Sequence, residues 1–161
     1  MRSTQPTMIL ITLAITGLAA TTMAAAASAS RVGGMPLAAK GCIKVTSTIP
    51  VGYQPTGVGV NPKTDTIYVT DSLDIHHVAR NVSAINGATK SVVAQIHVGH
   101  EPVGIAVDPR TNKAYVANVA GKQMTVVDGQ TNKATSTIPL GFVQHAVTVN
   151  PKTNTVYAAG I

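Results

Sequence analysis

The sequence predicts an all-β protein: a β-propeller with four-stranded blades of about 42 residues, of which only about two and a half are present, an incomplete ring. Three observations lead there. The run Asn61-Pro62-Lys63-Thr64-Asp65-Thr66-Ile67-Tyr68-Val69 returns from Asp108 to Val116 and again from Asn150 to Ala158, at offsets of 47 and 42 residues. A second marker, Ile49-Pro50-Val51-Gly52, returns as Ile96-His97-Val98-Gly99 and Ile138-Pro139-Leu140-Gly141 at the same two offsets. Between the markers, short β-branched runs alternate with Asn/Asp-Pro and Asn-Gly or Asp-Gly turn signals, and no helical periodicity intervenes. An open β-meander or sandwich is the alternative that the same pattern allows.

Length and composition set the outer bounds. The 161 residues suffice for one domain or part of one, with 45% hydrophobic and only 11% charged residues, which argues against a disordered tail. A single Cys excludes a disulfide framework and any zinc site built on thiolates. Twelve Lys+Arg against six Asp+Glu leave a net charge of +6.

Residues 1–29 read as a secretory signal peptide. Arg2 supplies the positive start, Met8 to Leu18 the apolar run, and Ala27-Ser28-Ala29 an A-x-A cleavage site. The apolar run is about half the roughly 20 residues a membrane span needs. Residues 30–42 then form a flexible N-terminal segment. Cys42 follows Ala39-Lys40-Gly41, a charged approach unlike that of a lipid-modified cysteine, and is read as a free thiol.

Residues 43–161 carry the repeats, and each element has a local reason. Ile43–Ile49 is a fourth, or D, strand standing ahead of the first full repeat. The first (A) strands are Gly57–Val60, Gly104–Val107 and Ala146–Val149, where small residues alternate with β-branched ones, as a crowded innermost strand requires. An Asn/Asp-Pro-Lys/Arg-Thr turn follows each, its first residue capping and its proline presetting φ. The B strands are Thr66–Thr70, Ala114–Asn118 and Thr155–Ala159; the C strands are Val82–Ile85 and Met124–Val127, each closed by Asn86-Gly87 or Asp128-Gly129. Ser91–Val98 and Ala134–Leu140 are D strands. The first repeat's extra five residues fall in the B–C loop Asp71–Arg80.

Tyr68-Val69-Thr70-Asp71 and Tyr115-Val116-Ala117-Asn118, together with the Gly-x-x-Pro-x-Gly-Val/Ile segments at Gly52–Val58 and Gly99–Ile105, resemble the YVTN family of β-propeller repeat proteins. The resemblance covers essentially all of residues 43–161. The third repeat departs from the pattern, with Gln144 for Pro, Ala146 for Gly, and Tyr157-Ala158-Ala159-Gly160. The resemblance implies an exported, surface-layer or periplasmic protein and, in most members, a seven-bladed ring. Eleven strands do not close a ring, so the expectation is a fragment of a longer product, a ring assembled from several chains, or an open array.

Propeller topology sorts the loops into two faces. The A–B and C–D turns carry Lys63, Lys90, Arg110, Lys113, Lys133 and Lys152 against Asp65, Asp108 and Asp128, a net of +3. Of these, Lys63, Arg110, Lys113 and Lys152 form the candidate cationic face, suited to an anionic cell-envelope polymer or lipid headgroups, or else simply to solvation of turns. Nucleic acid is excluded as a partner by the scarcity of aromatic residues for base stacking. Another protein, or a further copy of the chain completing the propeller, is the other expected partner.

The opposite face collects four of the five histidines. His100, Glu101 and His145 are candidate ligands for a divalent metal. Tyr53, Gln54, His76, His77, Phe142 and Gln144 complete a candidate ligand-binding rim. No Ser-His-Asp grouping or phosphate loop is present, so no catalytic site is readable. The functional expectation is an exported binding module at the cell envelope or outside the cell. The alternative is a lactonase- or lyase-like propeller enzyme with a metal or acid–base group at the channel mouth. The recurrent Tyr68, Tyr115 and Tyr157 are read as spacers between blades, and Asn81-Val82-Ser83 as an N-glycosylation pattern at the start of a strand.

Overall fold

A computed structural model of the chain describes residues 7–10, 45–72 and 80–161. Among them there is no helix, and twelve strands account for nearly all the ordered structure. The first complete blade is the antiparallel sheet β3 (Pro55–Asn61), β4 (Thr66–Asp71), β5 (Asn81–Asn86) and β6 (Ser91–His97). The second is β7 (Pro102–Asp108), β8 (Lys113–Asn118), β9 (Gln123–Asp128) and β10 (Lys133–Pro139). Strands β11 (Gln144–Asn150) and β12 (Thr155–Gly160) begin a third. These are the A to D strands expected from the repeat, in simple up-and-down order.

Ahead of the first blade, β2 (Ser47–Pro50) is the expected D strand. It pairs antiparallel with β1 (Thr7–Leu10), a strand drawn from the segment expected to be a signal peptide. The cleavage site, Cys42, and the loop residues Asp74, His76 and His77 lie outside the described residues.

Adjacent blades meet through their first strands at a separation that only small side chains allow. A Cβ on Gly57 would overlap the Val103 carbonyl oxygen, and one on Gly104 would lie 2.8 Å from that of His145. The backbones are locked at this crossing: Thr70 Oγ1 accepts from the Gly57 N–H at 2.8 Å and donates to the Val103 carbonyl at 2.9 Å. Each A strand also opens with a register shift, at Pro55/Gly57, Pro102/Ile105 and Gln144/Ala146, an irregularity that bends the strand as it enters the centre.

The core is a repeating unit that spans neighbouring blades. Tyr68, Val82, Ala84, Ile96 and Val98 of the first blade pack with Ile105, Ala114, Val116 and Val127 of the second. One repeat earlier, Ile49, Val51, Ile67, Val69 and Ile85 form the corresponding cluster; these positions precede Ile96, Val98, Ala114, Val116 and Val127 by 47 or 42 residues.

The three recurrent tyrosines report how much of this core each blade has. Tyr68 is 1% exposed, Tyr115 is half-buried, and Tyr157 is 55% exposed. The spacer role holds wherever a complete blade follows.

Candidate functional site: a cationic turn face

Three A–B turns fold identically because the side chain of their first residue replaces a backbone acceptor. Asn61 Oδ1 accepts the Lys63 N–H at 3.0 Å, Asp108 Oδ1 that of Arg110 at 2.9 Å, and Asn150 Oδ1 that of Lys152 at 3.0 Å. These are Asx turns, with proline at the second position. Each turn ends on a left-handed residue, Asp65, Asn112 or Asn154, with φ between 53° and 55°, a conformation Asp and Asn tolerate better than most residues.

The A–B turns are fused to the C–D turns beside them. Gly87 donates to the Asp65 carbonyl and Gly129 to the Asn112 carbonyl, both at 2.8 Å. Asn61 Nδ2 donates to Asn112 Oδ1 at 2.7 Å, tying the first blade's turn to the second's. The turns of the first two blades thus form one hydrogen-bonded surface, with the third A–B turn beside it. Lys63, Lys90, Arg110, Lys113, Lys133 and Lys152 are all exposed on it. Of its carboxylates, Asp65 is exposed, Asp108 is fully buried, and Asp128 accepts the Gln130 and Thr131 N–H groups.

The opposite rim is less uniform than the sequence implies. Tyr53, Gln54 and His145 are exposed there, with His100 and Glu101 half-buried. Gln54 and Glu101 take left-handed φ values of 43° and 52°, and their carbonyls accept from Ser72 and Val119 at 3.2 and 3.0 Å. Gln144, expected on the rim, is instead fully buried. It stands where the earlier repeats have Pro55 and Pro102, and its Nε2 donates to the Asn118 carbonyl at 3.2 Å and to that of Gln123. Phe142 is half-buried and lines an apolar hollow, open to solvent, with Met124, Ile138, Leu140, Val156 and Ala158.

The described residues bring no three His, Cys, Asp or Glu side chains together as a metal-binding group. His100, Glu101 and His145 therefore do not share an ion by themselves within the described structure.

Sequence reasoning missed a polar knot beneath this rim. Asp71, 2% exposed, accepts from Ser83 Oγ at 2.9 Å, and Ser83 in turn accepts from Gln95 Nε2 at 2.9 Å. Burial pushes the Asp71 carboxyl up to about 6, against the opposing pull of the Ser83 hydroxyl and the Gly52 N–H. Asp71 Oδ1 has no partner among the described residues. The signal was in the repeat: Asn118 occupies the same place in the second blade, where its Nδ2 donates to Thr125 Oγ1 at 2.9 Å and to the Val116 and Gln123 carbonyls. Nearby, Thr56 Oγ1 lies 2.7 Å from Ser72 Oγ, which donates to the Pro102 carbonyl.

Solved structures that share this architecture include a β-propeller domain, and the chain matches each over part of its length. The chain superimposes on a functionally unknown protein from Desulfotomaculum acetoxidans with a TM-score of 0.62 and 22% identity, covering 73% of this chain and 38% of that one. It matches the β-propeller domain of Myceliophteria thermophila Cps50 (Swd1) with a TM-score of 0.60 and 18% identity, over 73% and 36% of the two chains. Kuenenia stuttgartiensis hydrazine synthase matches with a TM-score of 0.60 and 22% identity, over 68% and 31%. This chain thus spans about a third of each of these structures.

A 28-residue stretch is 68% identical to the PE-PGRS family protein PE_PGRS18 of Mycobacterium tuberculosis, covering 17% of this chain and 6% of that protein. The sequence profile of one propeller family matches residues 16–157, most of the chain. On that match, added to the bladed fold, the chain belongs to the SMP-30/gluconolactonase/LRE-like region family.

Proposed function

We propose that this chain is an exported binding module of YVTN-type propeller repeats that docks through its cationic turn face onto anionic polymer of the cell envelope. The carrying observation is the threefold Asx turn, which sets Lys63, Arg110 and Lys152 at the same place in successive repeats with their backbones fixed. A row of evenly held cations on a rigid surface gains attraction for a polyanion without having to order its own loops first. Export is supported by the charge, apolar run and A-x-A pattern of residues 1–29.

The test is cosedimentation with a poly(glycerol phosphate) polymer and, in parallel, with vesicles containing anionic phospholipid. Binding to the polymer is expected, weakening as salt rises from about 0.05 to 0.5 M because the screening length shrinks well below about 10 Å. The Lys63→Glu/Arg110→Glu/Lys152→Glu variant should lose it. Salt-insensitive binding, or full binding by the variant, would overturn the proposal. Retention on vesicles alone would shift the partner to a lipid surface. A hydrolytic reading would have to rest on His100, Glu101 and His145, and no geometry among the described residues favours it.

A further inference from the structure

We propose that Asn86 is a site of covalent modification, converting to aspartate and isoaspartate through a cyclic imide formed with Gly87, and that the A–B turn beside it gates the reaction. Asn86-Gly87 is the one Asn-Gly pair in the chain; every other asparagine precedes Pro, Val, Lys or Thr. The chemistry needs that pair. The Gly87 main-chain nitrogen must reach the Asn86 side-chain carbon Cγ, and glycine brings no Cβ to crowd the approach and turns freely enough to make it.

Water is the only co-reactant. The Gly87 nitrogen gives up its proton and attacks Cγ. The new N–Cγ bond forms, the Cγ–Nδ2 bond breaks, and Nδ2 leaves as ammonia with a proton in place of the one that Gly87 lost. Water then opens the five-membered imide. Cleavage of the N–Cγ bond gives aspartate; cleavage of the original main-chain bond gives isoaspartate, whose backbone runs through Cγ. Nothing is oxidised or reduced.

The fold arms one reacting atom and restrains the other. The Thr89 N–H donates to Asn86 Oδ1 at 2.9 Å. It draws electron density from Cγ and can steady the negative charge that gathers on Oδ1 during attack. The Gly87 N–H, however, donates to the Asp65 carbonyl at 2.8 Å, so the nucleophile keeps its proton until that bond opens. The contact has no slack, because a Cβ on Gly87 would overlap the Asp65 carboxylate. Asp65 is exposed and holds its carbonyl in place through a left-handed φ of 53°. Opening of this one surface contact, without global unfolding, admits the reaction.

The second blade shows that the turn can carry the aspartate product. Its equivalent pair is Asp128-Gly129. Asp128 Oδ1 accepts the Thr131 N–H at 3.1 Å, as Asn86 Oδ1 accepts that of Thr89, and the Gly129 N–H donates to the Asn112 carbonyl at 2.8 Å. The charges are exchanged between the blades. Carboxylate Asp65 accompanies carboxamide Asn86 in the first, whereas carboxamide Asn112 accompanies carboxylate Asp128 in the second. Conversion of Asn86 puts two carboxylates into one pair of turns, and their repulsion loosens the contact that held the reaction back. Peptide mass reads this chemistry whether or not the turn face docks a polymer.

The purified protein is kept warm at mildly alkaline pH, native and in urea. Peptides are then mapped by mass spectrometry, with isoaspartyl methyltransferase labelling to tell isoaspartate from aspartate. Asn86 should convert before any other asparagine in both samples, and about fivefold or more slowly in the native one, the factor that one hydrogen bond of about 1 kcal/mol is worth. Asp65→Val forces a β-branched residue into the left-handed region and should remove most of that protection. Asp65→Asn, which supplies the residue the second blade uses, should keep it. Another asparagine converting first, or no conversion at Asn86 in either sample, overturns the site. Equal native and unfolded rates, or full protection in a folded Asp65→Val protein, overturn the gate. Should that variant fail to fold, the comparison of native with unfolded protein still decides.

Discussion

Replacing Asp71 with asparagine should stabilise the protein at neutral pH and leave it almost unchanged in acid. The Asp71 carboxyl titrates near 6 in the fold against 3.8 in the free side chain, with burial the dominant cause. A folded value above the unfolded one means that the folded state holds the proton more tightly. Stability therefore falls as pH rises from about 3.8 to about 6, and the whole penalty is present above that window. At about 1.4 kcal/mol for each pH unit separating the two values, the ceiling is about 3 kcal/mol. Asparagine has no charge to desolvate. The second blade shows that this place can hold its amide, since Asn118 donates to Thr125 and to two carbonyls there. Urea unfolding followed by circular dichroism at pH 3.5 and pH 7.5, for both proteins, isolates the effect, because all other titrations cancel in the difference. The advantage of Asp71→Asn should grow by about 2–3 kcal/mol between the two conditions. A difference that does not change with pH, or one that favours the aspartate at pH 7.5, would refute the reasoning.

Other consequences follow from the blade interfaces. Gly57→Ala places a methyl group against the Val103 carbonyl and should cost about 1–3 kcal/mol or more, read as a lower urea midpoint, because backbone rather than a flexible side chain must give way. Tyr68→Ala should cost about 3–5 kcal/mol as a fully buried aromatic is lost. Tyr157→Ala, at a position 55% exposed, should change stability by less than about 0.5 kcal/mol. Equal losses at the two tyrosines would contradict the inter-blade core described above. Asn61→Ala removes both the Lys63 turn bond and the link to Asn112. It should lower the melting temperature and weaken polymer binding together, where Lys63→Ala weakens binding alone.

The architecture was legible because a repeat states it three times. The offsets of 47 and 42 residues located every strand from β2 to β12 to within a few residues, and the small residues of the A strands anticipated the close crossing at Gly57 and Gly104. The fate of individual polar side chains was harder to read. Gln144 stands at the repeat position of Pro55 and Pro102, which are half-buried and buried, and its own full burial follows from the bonds its amide makes to the Asn118 and Gln123 carbonyls. Asp71 looks like a loop carboxylate, yet it takes the place of Asn118 and is buried with it. Local sequence gives residue type and strand phase, whereas burial at a strand end depends on the neighbouring blade's backbone. Asp108 shows the same limit, since a carboxylate counted on the cationic face is hidden beneath its own turn.

The most direct test of the account is to map where a polyanion touches the protein. Amide chemical shifts, followed by nuclear magnetic resonance while poly(glycerol phosphate) is titrated in, report the contacting face residue by residue. Shifts should concentrate at Lys63, Arg110, Lys113 and Lys152 and collapse in high salt, with Tyr53, His100 and His145 unmoved. Shifts centred on that opposite rim, or none at any salt concentration, would contradict it.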